Sequence, residues 1–234
     1  MGRVIEHQPA RARFRTADEG RTTWHSFSFG AHYDPTNVGF GSLVAHNEEL
    51  LPPGTGYADH PHADLEIVTW VLSGALRHTS SVGSGVVGPD EVQRLSAGSG
   101  VVHSEVAEGA EETRFLQAWV RPDEPDLVPD YLYSAVAMGD GWTCVADGDG
   151  RGVVPIAARG TSLHTADLGT GERLALPGAP SLHLYLARGR AMLGERLLEP
   201  GDTARLVDEG GRQVTAEEDT RLLVWAFTES ARRG

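Results

Sequence analysis

Trp70-Val71-Leu72-Ser73-Gly74-Ala75-Leu76, followed by Pro89-Asp90-Glu91-Val92-Gln93-Arg94-Leu95, has a later echo in the chain. It is Tyr185-Leu186-Ala187-Arg188-Gly189-Arg190-Ala191, followed by Pro200-Gly201-Asp202-Thr203-Ala204-Arg205-Leu206. The offset is 115 residues between the glycines (189 minus 74) and 111 between the prolines (200 minus 89). Each copy reads strand, glycine turn, strand, proline turn, strand, since short apolar and β-branched runs alternate with the residues that interrupt them. A duplicated β unit is the expectation, with the charged, proline-rich stretch 121–129 as connector and units at 1–125 and 126–234.

The rest of the chain agrees with an all-β reading. Its 29 glycines and 13 prolines fall between segments such as Glu66-Ile67-Val68-Thr69-Trp70-Val71-Leu72 and Arg221-Leu222-Leu223-Val224-Trp225-Ala226-Phe227. Long apolar stripes of helical period are missing, and only short helices are expected, around 129–137 and 229–233. Many short strands with frequent turns suggest barrels or jelly rolls, in which closing or stacking the sheets removes exposed edges. A length of 234 residues accommodates two such units, each able to bury a core.

Bulk charge narrows the partners. A net charge of -13, with no compensating Lys/Arg cluster, opposes direct nucleic-acid binding. No run of about 18 apolar residues could cross a bilayer as a helix, and residues 1–6 lack the apolar core of a signal peptide. The single cysteine, Cys144, excludes an intramolecular disulfide. A cytoplasmic protein without a membrane partner is expected, monomeric by default for a two-barrel chain.

Two short motifs carry chemistry. His60-Pro61-His62 and His103-Ser104-Glu105 place three imidazoles and a carboxylate at i, i+2 spacing, on one face of a strand. Imidazole nitrogen with carboxylate oxygen suits a divalent transition metal, whereas calcium or magnesium wants oxygen alone. Spacing leaves Glu66 as a competing carboxylate, for it shares strand parity with His60 and His62. Shifting the four motif residues by the repeat offsets lands on Ala175, Pro177, Val214 and Ala216, none of them a ligand. His164 and His183 are expected as surface or packed histidines.

Gly54, five residues, His60, one residue, His62, three residues, Glu66, seven residues, Gly74 resembles the first cupin motif, whose usual last gap is one shorter. More narrowly, the chain resembles the pirin family through Phe27-Ser28-Phe29, Tyr33-Asp34-Pro35, Gly39-Phe40-Gly41, His60-Pro61-His62, Glu66-Ile67-Val68-Thr69, and Ser96-Ala97-Gly98 with Val102-His103-Ser104-Glu105. These motifs span roughly residues 24 to 125, and 140 to 234 match only a generic second cupin. The resemblance implies a jelly-roll-like bicupin with one metal, Fe(II) in the first instance and Ni, Mn, Co, Cu or Zn as alternatives, held by His60, His62, His103 and Glu105. Glu66 then becomes a residue orienting a ligand histidine.

The resemblance also implies chemistry. Quercetin 2,3-dioxygenases occur among pirin-like cupins, and a flavonol with O2 would be the substrates, Glu105 acting as base and CO leaving as product. Phe27, Phe29, His32, Tyr33, Phe40 and Trp70 are candidate pocket walls, with core packing as the other reading of the aromatic ones. The alternative function is an iron-binding, redox-sensing regulator that acts through a protein partner. Two departures stand out: Ala63 where many pirins carry Arg or Lys, which removes a cation beside the site, and His32 where relatives often have Asn.

Overall fold

The computed structural model describes residues 4–18 and 20–229. The chain begins with β1 (Val4–Gln8), a 3-10 turn at Ala10–Ala12, β2 (Phe14–Asp18), β3 (Arg21–His25), β4 (Leu43–Leu51), β5 (Gly56–His62) and β6 (Glu66–Ser73). It continues through β7 (Leu76–Ser80), β8 (Gly83–Val87), β9 (Glu91–Ser96), β10 (Val101–Ala107), β11 (Thr113–Val120) and β12 (Asp130–Ala135). Next come β13 (Thr143–Asp147), β14 (Val154–Pro155), β15 (Thr161–Leu168), β16 (Arg173–Ala175) and β17 (Ser181–Arg188). The last strands are β18 (Ala191–Leu193), β19 (Arg196–Leu198), β20 (Thr203–Val207), β21 (Gln213–Ala216) and β22 (Thr220–Phe227).

These strands form two barrels, each a seven-stranded sheet with a four-stranded sheet. The first has the orders β12-β9-β6-β11-β4-β3-β2 and β5-β10-β7-β8. The second has β1-β20-β17-β22-β15-β13-β14 and β16-β21-β18-β19. Position by position the sheets correspond, and the repeated glycines occupy the same place. Gly74 and Gly189 have φ of 74° and 77°, in the left-handed region that favours glycine. The hydroxyl of Thr113 donates to the Ala75 carbonyl at 2.7 Å, and that of Thr220 to the Arg190 carbonyl at 2.9 Å.

Sheet membership crosses the connector expected near residue 125. Strand β1 pairs with β20 along Val4↔Val207 to Gln8↔Thr203, on the edge of the second barrel. Strand β12 pairs with β9 along Asp130↔Ser96 to Ala135↔Glu91, on the edge of the first. The two edge strands are exchanged. The helix expected over 129–137 is thereby corrected to a strand, because β9 offers an open edge and the Tyr131 and Tyr133 rings lie against Gly83 and Gly85 of β8, where no side chain intervenes. Of the helix expected at 229–233, Glu229 lies in a bend and the remainder falls outside the described residues.

The large sheets bury both faces, which explains why β6 reads as a continuous apolar run instead of an alternation. Val68, Trp70, Tyr185 and Trp225 meet in a core between the barrels, joined by Phe27 and Phe40. On the opposite faces, Leu182, Leu184, Leu186, Val214 and Ala216 fill the second barrel with one continuous core. The first barrel differs. Its interior holds two separate apolar clusters, one with Val71, Leu76 and Phe115 and one with Ile67, Leu95 and Val101. Polar side chains occupy the belt between them.

Candidate metal centre

The belt starts from β5 and β10. His60 and His62 stand two residues apart on β5, an edge strand that tolerates Pro61, and His103 of β10 pairs directly across from His60. Their ring centroids lie 4.3 Å (His60 to His103), 4.8 Å (His60 to His62) and 5.0 Å (His62 to His103) apart. One nitrogen from each comes within 4.8 Å of the others. His60 Nδ1 makes a 2.8 Å hydrogen bond to the Ala58 carbonyl, which leaves Nε2 for a ligand. The Nε2 atoms of His62 and His103 are buried and without a hydrogen-bond partner. Burial first, and neighbouring imidazoles second, lower His62 to about 4 and His103 to about 3. Both rings are neutral at physiological pH and their lone pairs are available, a donor set that fits a divalent transition metal.

Glu105 does not join that trio. Glu105 follows His103 at i, i+2 along a β10 that pairs regularly with β7, and its carboxylate clusters with His103 and a fourth histidine, His78, which lies across from it. The extra residue of a β-bulge falls on β5, between Tyr57 and His60, and beside it Gly56 lets the two strands approach closely: a Cβ there would lie 2.0 Å from the Glu105 carbonyl oxygen. Glu105 Oε1 accepts from Gln93 Nε2 at 2.9 Å and Oε2 from Gln117 Nε2 at 2.8 Å. Burial pushes its carboxyl above the ordinary range, with the Gln117 hydrogen bond opposing.

Glu66 lies in neither cluster. Its Oε1 accepts a short hydrogen bond from the Ser96 hydroxyl, and its Oε2 is buried without a partner. Asp64, at φ 53°, turns the chain between β5 and β6, so parity with His60 does not carry over to the other sheet. A ligand or orienting role for Glu66 has no contact to support it.

A pocket of about 320 Å³ opens above the histidines. Phe29 and Trp119 form an edge-to-face wall with centroids 5.1 Å apart, and Trp119 meets His62 at 4.9 Å. His60, His62, Glu105 and Gln117 line its inner part. Of the aromatic candidates only Phe29 lies here. Phe27, Phe40 and Trp70 belong to the core between the barrels, and Tyr33 is 76% exposed away from the pocket. His32 stacks on Phe14 at 5.2 Å, makes a 3.1 Å hydrogen bond to the Arg15 carbonyl, and backs His25 without lining the cavity. Ala63 does not line this pocket; a cation that does is Arg21 of β3, with its guanidinium 4.6 Å from the Tyr57 ring centre.

Several site residues escape the sequence motifs. His78, Gln93, Gln117, His25, Asn47 and Glu49 are polar residues of β3, β4, β7, β9 and β11 that belong to no metal-ligand spacing. Adjacent Glu48 and Glu49 point to opposite sides of β4. Glu48 accepts from Arg13 at 2.8 Å, Arg114 at 2.7 Å and the Tyr185 hydroxyl at 2.7 Å in the seam between barrels. Burial opposes its charge, but Arg114 and Arg13 outweigh this and hold it below the usual carboxylate range. Glu49 faces the pocket, and burial raises it to about 7.

Two jelly-roll barrels in one chain, with a histidine cluster in the first and apolar residues at the matching positions of the second, define a bicupin. The pirin family model matches residues 7–120. A Mycobacterium tuberculosis protein named "Putative quercetin 2,3-dioxygenase" is 42% identical over 225 residues, covering 90% of this chain and 92% of that one. A pirin-like protein of Caulobacter vibrioides is 33% identical over 207 residues, covering 86% and 89%. The crystal structure of the bacterial pirin YhhW of Escherichia coli, in complex with nickel(II), matches with a TM-score of 0.89 at 27% identity, over 96% of this chain and 99% of that chain. The chain belongs to the pirin family. Among the described residues no helix is long and apolar enough to cross a membrane.

Proposed function

We propose that this pirin is a metal-dependent dioxygenase that opens the ring of a flavonol such as quercetin with O2 and releases CO. The observation that carries the reading is the meeting of three imidazoles and a buried carboxyl at the inner end of an aromatic-walled pocket. His60, His62 and His103 would hold one divalent transition metal, and Glu105, held by Gln93 and Gln117, is the candidate fourth ligand through a lone pair that the glutamines leave free. Nickel in the YhhW complex and iron from the family resemblance are both candidates. Bound there, such a metal would supply Lewis acidity toward the substrate and O2.

The protein's own groups do the rest. Phe29 and Trp119 hold a flat ring system and fix its approach, which supplies part of the rate as orientation. Glu105 takes the proton of the flavonol 3-hydroxyl: burial makes its carboxyl more basic than usual, and each oxygen keeps a lone pair beyond the glutamine hydrogen bond. Gln93 and Gln117 keep that carboxyl aimed in either protonation state. The polyphenol becomes an electron-rich anion against the aromatic wall of the pocket.

The test is incubation of protein loaded with Fe, Ni, Mn, Co or Cu with quercetin, recording O2 uptake and CO together. One CO per O2 is expected with at least one metal. Absence of turnover with all of them overturns the dioxygenase reading.

A further inference from the structure

Among the described residues Glu49 makes no ion pair, and Arg21, which lines the same pocket, favours its charge only weakly. Only 4% exposed, Glu49 accepts two hydrogen bonds on Oε2, from the Thr23 hydroxyl at 2.6 Å and the Tyr57 hydroxyl at 2.8 Å. Its Oε1 takes no hydrogen bond from any described residue. It is also absent from the fully enclosed unpartnered atoms, which leaves the pocket it lines as the space it meets. The contrast with Glu48, one residue earlier, is chemical: that carboxylate is met by two arginines and a tyrosine. A carboxylate oxygen that faces a pocket is satisfied by water until a ligand displaces it, and the ligand binds well only if it brings a donor of its own. In the Glu49 pocket the donor has to come from outside the protein.

We propose that Glu49 is a substrate-binding residue whose Oε1 accepts a hydrogen bond from a second hydroxyl of the polyphenol, distinct from the hydroxyl that Glu105 deprotonates. The inference rests on the dioxygenase reading for the identity of the ligand class. Its consequence is selectivity: the pocket favours polyhydroxylated flavonols over flavonols that lack hydroxyls on the other rings. Thr23 and Tyr57 fix the carboxyl from behind, so the free oxygen is pre-aimed and little freedom is lost on binding. A carboxyl titrating near neutrality remains a competent partner for a phenol in either protonation state.

The experiment measures binding under anaerobic conditions, where no turnover intervenes, to nickel-loaded protein. Quercetin is compared with 3-hydroxyflavone, which keeps the 3-hydroxyl and lacks the others. Wild type is expected to bind quercetin about tenfold or more tightly, as for a hydrogen bond to a charged group. Glu49→Leu brings quercetin down to the level of 3-hydroxyflavone, and Glu49→Gln, which keeps the shape and a neutral acceptor, falls between. Unchanged 3-hydroxyflavone affinity shows that the variants are folded and metal-loaded. The inference is overturned if both variants keep the wild-type preference, or if wild type shows none. Binding with the expected preference but without turnover in air sinks the dioxygenase reading alone.

Discussion

His103 of β10 and His78 of β7 meet on the diagonal between the two strands, both buried, with their Nδ1 atoms 3.5 Å apart. Two facing nitrogens need one proton between them. A metal on His103 Nε2 leaves that ring's proton on Nδ1, so His78 accepts through Nδ1 and carries its own proton on Nε2. That Nε2 is buried without a partner, and the ring is held by stacking on Tyr131 at 4.2 Å and 4°. Metal binding therefore sets the tautomers of two rings. Replacing His78 with Phe preserves the stacking and removes the acceptor. Metal affinity is expected to fall about 10- to 100-fold, as for other partners of ligand histidines. Competition against a chromophoric chelator measures it, with an unchanged circular dichroism spectrum as the folding control.

Glu49 makes stability pH-dependent in a direction opposite to a salt-bridged carboxylate. Its folded-state pKa is raised from 4.5 to about 7, so between those values the native protein holds a proton that the unfolded chain has released. Stability falls as pH rises through this window and stays lower above it. Glu49→Gln removes the penalty. In metal-free protein it should gain about 3 kcal/mol at pH 8 and almost nothing at pH 4.5, read by urea denaturation.

Acid acts at the seam between the barrels. His46 and His183 lie there with ring centroids 4.7 Å apart, and both ring nitrogens of His183 are buried without partners. Burial first, with Arg13 second for His46 and His46 itself second for His183, lowers His46 to about 3 and places His183 well below 6.5. Glu48 works the other way on His46, and Arg205 and Arg13 add to the lowering of His183. Below pH 6.5 the unfolded chain takes up protons that the native state refuses, so stability drops as pH falls. Each histidine adds up to about 1.4 kcal/mol per pH unit. His183→Phe should remove one such proton from the slope between pH 6 and 5 in denaturant titrations.

Gly74 and Gly189 should respond alike to the same change. A Cβ at Gly74 would stand 2.5 Å from the Glu112 carbonyl oxygen, and one at Gly189 would stand 2.3 Å from that of Asp219. Both positions also have positive φ. Alanine at either is expected to cost about 2–4 kcal/mol from left-handed strain and crowding together. Thermal melts of the two single variants, matched to within about 1 kcal/mol, would establish the equivalence in energy.

The histidine trio was legible because its parts are local: His60 and His62 share a strand face by spacing, and His103 repeats the pattern on the adjacent strand. Gln93, Gln117 and Glu49 were not, since a polar residue in a strand, alone or in a run such as His46-Asn47-Glu48-Glu49, signals nothing until the inward parity of its strand is known. The aromatic residues divided for a similar reason. Phe29 faces the pocket while Phe27, two residues earlier, packs against His183 with centroids 5.4 Å apart, and both look the same in sequence. Strand β12 read as a helix because its partner, β9, is far away in sequence and the local pattern carries no record of it.

The exchange of β1 and β12 has a consequence for how the chain is made. The His7 side chain bonds Asp202 at a separation of 195 residues, so β1 is synthesised long before the strand that receives it. During translation the first barrel can close on itself with β12, which follows it directly, while β1 waits as an unclaimed strand. The second barrel's edge is sealed only when β20 has left the ribosome. Separating the halves at the connector would leave each one missing a strand that the other carries. The two barrels are thus one folding unit, and the half that carries the histidine cluster is completed by residues from beyond its own boundary.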